Sequence, residues 1–170
     1  MSSTYECTVG IFTRGLNSLN SWIYKAEELA KTKKFDTDVF VQARLAPDMY
    51  PFLKQVQIAC DAAKGAAARL VGKQPPKHED NERTFADLHK RIEKTVEYLK
   101  TLKPNEFDGC DDRRVNLPWP EGKWMYGGQY IPQMAIPNFY FHLTTAYTIL
   151  RHNGVDVGKT DFLGKIDLQS

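Results

Sequence analysis

The stretch Pro47–Gly72, PDMYPFLKQVQIACDAAKGAAARLVG, decides the fold class. Phe52, Val56, Ala59, Ala63, Ala66 and Leu70 recur at steps of three and four, the period that lines one face of an α-helix with apolar side chains. Asp48 follows Pro47 and makes a good N-cap, so the helix is expected to begin there. Pro51 then falls in the first turn, where its missing N–H costs nothing. The alanine-rich half, Ala62 to Ala68, lets a neighbouring helix approach closely. Gly72 suits the position after the last turn, and Pro75–Pro76 forbid continuation.

The same period recurs on both sides. Val9, Phe12, Leu16, Leu19, Ile23, Ala26 and Leu29 form a stripe that predicts a first helix from Tyr5 to Lys31. A short turn is expected near Asp36. Thr84 and Asp87 stand three apart, a capping-box variant, ahead of Phe85, Leu88, Ile92, Thr95, Val96, Leu99 and Leu102. That third helix closes at Pro104. A fourth is predicted from Pro137 or Asn138 to Gly154, with Phe139, Leu143, Ala146, Tyr147 and Leu150 on its apolar face.

Residues 105–135 read differently. Arg113–Trp119 and Lys123–Ile131 are short, aromatic or β-branched, and broken by Pro118, Pro120, Gly122 and Gly127–Gly128. They predict a long loop carrying a small hairpin. A loop of that length inside a compact domain covers or builds something. The tail VDVGKTDFLGKIDLQS, residues 155–170, is expected to pack back over the helices.

Composition narrows the function. A length of 170 residues suits a single domain, 1–170. The +2 net charge, 23 Lys and Arg against 21 Asp and Glu, is too even to argue for a nucleic-acid or anionic-membrane partner. Lys90, Lys94 and Lys100 read as a solvated helix face. Cys7, Cys60 and Cys110 are odd in number and widely spaced, against a disulfide framework or a CxxC pair. With no signal-like amino terminus and no apolar run long enough to span a bilayer, the expected location is cytoplasmic. GxSxG, GxGxxG, HExxH and P-loop motifs are all missing. The GKT of GVDVGKT follows a predicted helix and sits one residue short of the P-loop spacing.

Three stretches together carry a resemblance: RLAPDMYPFLKQVQIACDAAK (44–64), PNFYFHLTTAYTILRHNGVDVGK (137–159) and DFLG (161–164). They resemble the DinB/YfiT-like superfamily, in its DUF1993-type branch, a domain of unknown function. The resemblance implies an all-α fold, an antiparallel four-helix bundle with a long loop or small hairpin between helices 3 and 4, often as a homodimer. Many superfamily members are metal-dependent transferases or hydrolases. Their metal is held by one histidine on the second helix and an HxxxH pair on the fourth.

That spacing puts two imidazoles on one helix face. Carried over here, His142 takes the place of the second histidine, Asn138 replaces the first, and Gln55 is the nearest polar residue on the second helix. An amide oxygen is a weak ligand for zinc or nickel, so no tight metal and no other cofactor is expected. If an ion binds at all, it is a weakly held divalent metal on His142, Asn138 and Gln55.

The residue-level reading is therefore a small-molecule-binding bundle. His142 is the candidate acid or base, and Asp48, Gln55, Asn138, Tyr147 and Trp124 are the candidate binding residues, with the Trp119–Tyr130 loop closing over them. Whether it is an enzyme stays open. Two alternatives stand beside this reading, a degenerate metal-dependent transferase or hydrolase and a noncatalytic homodimer. Each residue also has a plain structural role. His142 can be a hydrogen-bonded core histidine, Gln55 and Asn138 can bond each other, and Arg44 and Asp48 can pair. Asp61 and Arg69 are expected to face solvent, and His78, His89 and His152 are poor functional candidates.

Overall fold

A computed structural model describes residues 3–166. The expected 1–170 domain and its closing tail both run past these residues.

A π-helical turn, Glu6–Gly10, runs without a break into α1 (Ile11–Lys33). Lys34 ends α1 in the left-handed region at φ 59°, its N–H returned to the Ala30 and Lys31 carbonyls. The short α2 (Asp38–Val41) drives Phe40 inward, where its ring stacks on Phe85 at 6.2 Å and Phe52 meets Phe85 edge-on at 5.8 Å.

The helix read from Pro47–Gly72 is α3 (Phe52–Leu70), and it does not begin at Asp48. Tyr50 precedes a proline whose ring bars it from the helical region, so Pro51 becomes the N-cap with an extended ψ of 167°. The segment before it closes a turn of its own, Met49 N–H donating to Ala46 O at 3.0 Å. Asp48 is thus an exposed turn residue. Arg44 donates to the Pro47 and Met49 carbonyls at 3.5 and 3.4 Å, and the expected pair with Asp48 is not among its bonds.

The start of α4 (Phe85–Thr101) follows the sequence reading. Asp87 N–H donates to Thr84 Oγ1 at 3.2 Å, and Thr84 N–H donates to Asp87 Oδ2 at 3.1 Å. These are the two reciprocal bonds of a capping box.

The hairpin is present, and it is shorter than expected. β1 (Arg114–Asn116) pairs antiparallel with β2 (Trp124–Tyr126), Val115 opposite Met125. The second half of the expected loop is helical instead. α5 (Gly127–Tyr130) passes through a π-helical turn, Ile131–Ala135, straight into α6 (Ile136–His152). Pro132 and Pro137 each lack the N–H that an α-helical ladder uses, which is why the sequence suggests a break. The ladder widens between them to the i→i+5 spacing and continues. A final short α7 (Lys159–Leu163) crosses α1.

Among the long helices, α3 packs on α6 and α4, and α1 packs on α4 and α6. Phe12, Leu16, Leu19, Ile23, Val56, Leu88, Ile92, Phe139 and Leu150 fill the space between them. Each such side chain contributes about 1.5–3 kcal/mol by leaving water. Trp22, outside the stripe read from the sequence, is also fully buried. Its indole N–H donates to Asp161 O at 3.1 Å and its ring stacks on Phe162 at 5.6 Å, which ties α7 to α1. Gly15 permits the α1–α6 approach, since a methyl group there would lie 2.9 Å from the Phe139 ring.

Arg91 of α4 is a buried charge, its side chain 1% exposed. It holds Glu82 and Asp61 at 2.8 Å and Asp80 at 3.1 Å, and it caps the Glu79 carbonyl at 3.1 Å. This network fastens the connection between α3 and α4 to both helices. No helix among the described residues is long and apolar enough to cross a membrane.

Candidate functional site

α3 and α6 form a seam along which residue numbers run in opposite directions. At one end Gln55 of α3 meets His142 of α6, with Nδ1 2.7 Å from Gln55 Oε1. Both side chains are buried. The protons follow from what Gln55 does next. Its amide nitrogen donates to Tyr50 O at 3.0 Å, and a backbone carbonyl can only accept. The oxygen of the amide therefore faces the ring, and His142 Nδ1 carries the hydrogen that bonds to it. Nε2 is left as the ring's lone-pair atom, and among the described residues it has no hydrogen-bond partner. Burial lowers the imidazole pKa below its ordinary value, so the neutral form dominates at neutral pH.

One turn along, Ile58 and Asn138 line the same cavity, of about 240 Å³. Its walls include Ala62, Met134 and Ala135, and its far end holds Asp61, Arg69 and Tyr130. Gln55, Ile58, Ala62 and Arg69 share one face of α3, and Asn138 and His142 share one face of α6, with Met134 in the π-helical turn ahead of it. The cavity therefore opens a single helical turn from the Gln55–His142 pair. Apolar walls with a few polar groups are the ordinary make-up of a small-molecule site, and this volume suits a small ligand.

The other sequence-derived candidates go elsewhere. Tyr147 lies five residues beyond His142, which turns it to another face of α6. Its ring meets Trp22 at 5.4 Å and Phe162 at 5.5 Å, and its hydroxyl donates to Val157 O at 3.2 Å. Trp124 sits on β2, half exposed, with Arg114 4.8 Å above its ring and Tyr126 edge-on at 5.1 Å. Neither lines the seam cavity, whose hairpin-side contributors are Pro118 and Tyr130. Asp48 is outside it as well. Asn138 is exposed on the cavity rim and is not bonded to Gln55.

Asp61 and Arg69, expected to face solvent, both line the cavity. The signal was in the sequence: Gln55, Ile58, Ala62 and Arg69 fall at steps of three, four and seven, so a polar-ended face was readable. His89 is held in structural contacts, stacked on Tyr24 at 4.1 Å with Nδ1 2.5 Å from Asn20 Oδ1.

The metal set of the superfamily does not fit these residues. Gln55 already shares its amide oxygen with His142 Nδ1–H, and its amide nitrogen, which donates to Tyr50 O, is no cation ligand. His142 Nε2 remains a single imidazole donor beside an exposed amide, and no group of three His, Cys, Asp or Glu stands close enough to share an ion among the described residues.

The chain is largely helical and has the fold of a solved DinB family member. The crystal structure of a DinB family member protein from Shewanella denitrificans superposes with a TM-score of 0.93 and 44% sequence identity, over 98% of this chain and 94% of that one. The family model for a domain of unknown function, DUF1993, matches residues 4–163. The chain belongs to the DUF1993 family. No curated protein matches it.

Proposed function

We propose that the protein is an antiparallel four-helix bundle that binds a small molecule in the α3–α6 seam, with His142 as a metal-independent general base or acid. The observation that carries this reading is the buried Gln55–His142 hydrogen bond at 2.7 Å. It fixes one tautomer and leaves Nε2 unprotonated, one helical turn from the Asn138 rim of the cavity. A neutral ring with a free Nε2 lone pair is what a proton acceptor needs. Gln55 is a positioning residue, and Asn138 stands at the rim where a ligand would enter.

Replacement of His142 with Gln or Ala tests this. Ligand-dependent thermal stabilisation by a fragment library should be present in the parent protein and lost in both variants, with the fold retained by circular dichroism. Loss of stability without any ligand-dependent difference would make His142 a structural residue.

A homodimer is the second reading. Tyr50 and Phe141, beside the pair in sequence, are 59% and 57% exposed, and such aromatic surface suits a second copy. Light scattering of the purified chain distinguishes monomer from dimer.

A further inference from the structure

Arg69 has no carboxylate partner among the described residues, although Asp61 lines the same cavity. The Asp61 carboxylate is taken by Arg91 at 2.8 Å and Lys64 at 2.5 Å, so its charge is balanced from the other side. The guanidinium is left as the unmatched charge of a cavity that is otherwise largely apolar.

The ordinary role of an arginine in the last turn of a helix is to lie near the terminal carbonyls. Arg69 does not do so. It folds back along α3 toward the amino terminus and lies over Gly65, where a methyl group would stand 2.6 Å from Arg69 Nη1. The terminal Leu70 carbonyl is served by Arg113 instead. Glycine inside a helix is unfavourable relative to alanine, and here its missing side chain is the space the guanidinium occupies. At the cavity end, burial raises the Tyr130 phenol above its ordinary pKa, and the adjacent Arg69 opposes that shift.

We propose that Arg69 is the anion anchor of the seam and that its ligand is a small carboxylate with an apolar body. The carboxylate sits on Arg69 and the Tyr130 hydroxyl, and the apolar part lies along Ile58 and Ala62 toward Asn138. A planar guanidinium matches a carboxylate through two parallel hydrogen bonds, and apolar walls strengthen that pairing by excluding water. The proposal rests on the seam being a ligand site, and it names the chemical class that the site selects.

The test is an NMR titration of the full chain with acetate, 3-methylbutanoate and phenylacetate, each matched against its neutral primary amide. The Arg69 side-chain N–H, the Asn138 side-chain amide and the His142 ring are the reporters. The branched and aromatic carboxylates should shift Arg69 and Asn138, and their amides should bind on the order of 10- to 100-fold more weakly, the worth of a charged hydrogen bond. Arg69→Gln should remove that preference and Arg69→Lys should keep part of it. Gly65→Ala keeps the charge and the helix but displaces the guanidinium, so it too should weaken carboxylates and leave amides unchanged. Movement of His142 and Asn138 with equal affinity for acid and amide would overturn the anion anchor while sparing the seam as a site. Movement of Arg69 with a still His142 would keep the anchor and remove the acid–base role. No response of Arg69 to any of the three carboxylates would overturn the proposal.

Discussion

Gln55 holds His142 by a 2.7 Å bond to Nδ1, and the Tyr50 carbonyl on the other side of the amide decides which way that bond points. Replacement of Gln55 with Leu leaves a buried N–H without a partner and should destabilise the protein by about 1–3 kcal/mol in urea denaturation. Gln55→Glu puts a carboxylate against the ring and should raise the His142 pKa, read from the ring proton shifts against pH. An unchanged titration in Gln55→Glu would mean that the two side chains do not meet in solution.

Stability should fall with acid in a defined direction. Burial lowers the folded-state pKa of His142, and burial together with the charges of Lys64, Lys94 and Arg91 pushes His78 down to about 4. As pH drops through about 6.5 the unfolded chain takes up these protons first. The contribution of the two neutral rings is therefore complete above that pH and is lost as the pH falls through the folded values. Urea midpoints measured from pH 7 to pH 4 should decline, and His142→Gln should flatten the decline. His78→Gln should flatten it as well, since the His78 ring carries the large downward shift.

Arg91 should prove the most sensitive charge in the chain. Burial raises the Glu82 carboxyl, but hydrogen bonds from Arg91 and Gln57 outweigh it and hold the group below its usual range. Arg91→Leu strands the largely buried Glu82 side chain, while Asp61 and Asp80 keep Lys64 and Lys54, and it should cost about 3 kcal/mol, since a buried charge is left without its counter-ion. Arg91→Lys keeps the charge but loses the planar fork, and should recover only part of that loss. Equal stability of the parent and Arg91→Leu would show that the network is solvated.

Two glycines should respond in opposite ways. A methyl group on Gly15 meets the Phe139 ring at 2.9 Å and Leu143 at 3.0 Å, both packed in the core, so Gly15→Ala should destabilise by about 1–3 kcal/mol. A methyl group on Gly65 meets only the tip of Arg69, which can swing away. Gly65→Ala should therefore be neutral or stabilising by up to about 1 kcal/mol, the helix propensity difference. Thermal denaturation of the two variants separates the cases.

Much of the fold was legible because it rests on local chemistry. The Thr84–Asp87 capping box, the stripe from Phe12 to Ala26 and the end of α3 near Gly72 follow from residue type and spacing. The sequence misled where a wider context decided. Pro137 looks like a helix start, yet the turn ahead of it widens and carries α6 back to α5. Asp48 looks like an N-cap, yet Pro51 constrains Tyr50 and moves the start to Phe52. For the site, the meeting of Gln55 and His142 was a pairing of helices that the resemblance could suggest. The turning away of Tyr147 follows from its five-residue offset from His142 and was readable, whereas the position of the Arg69 guanidinium depends on side-chain torsions that periodicity does not encode.

The nitrogen shifts of the His142 ring test the account most directly. At neutral pH a long-range proton–nitrogen correlation spectrum should show Nδ1 protonated and Nε2 bare, with a titration midpoint below that of a free histidine. Protonation at Nε2 instead, or a midpoint at or above the ordinary value, would contradict the arrangement on which the proposed site depends.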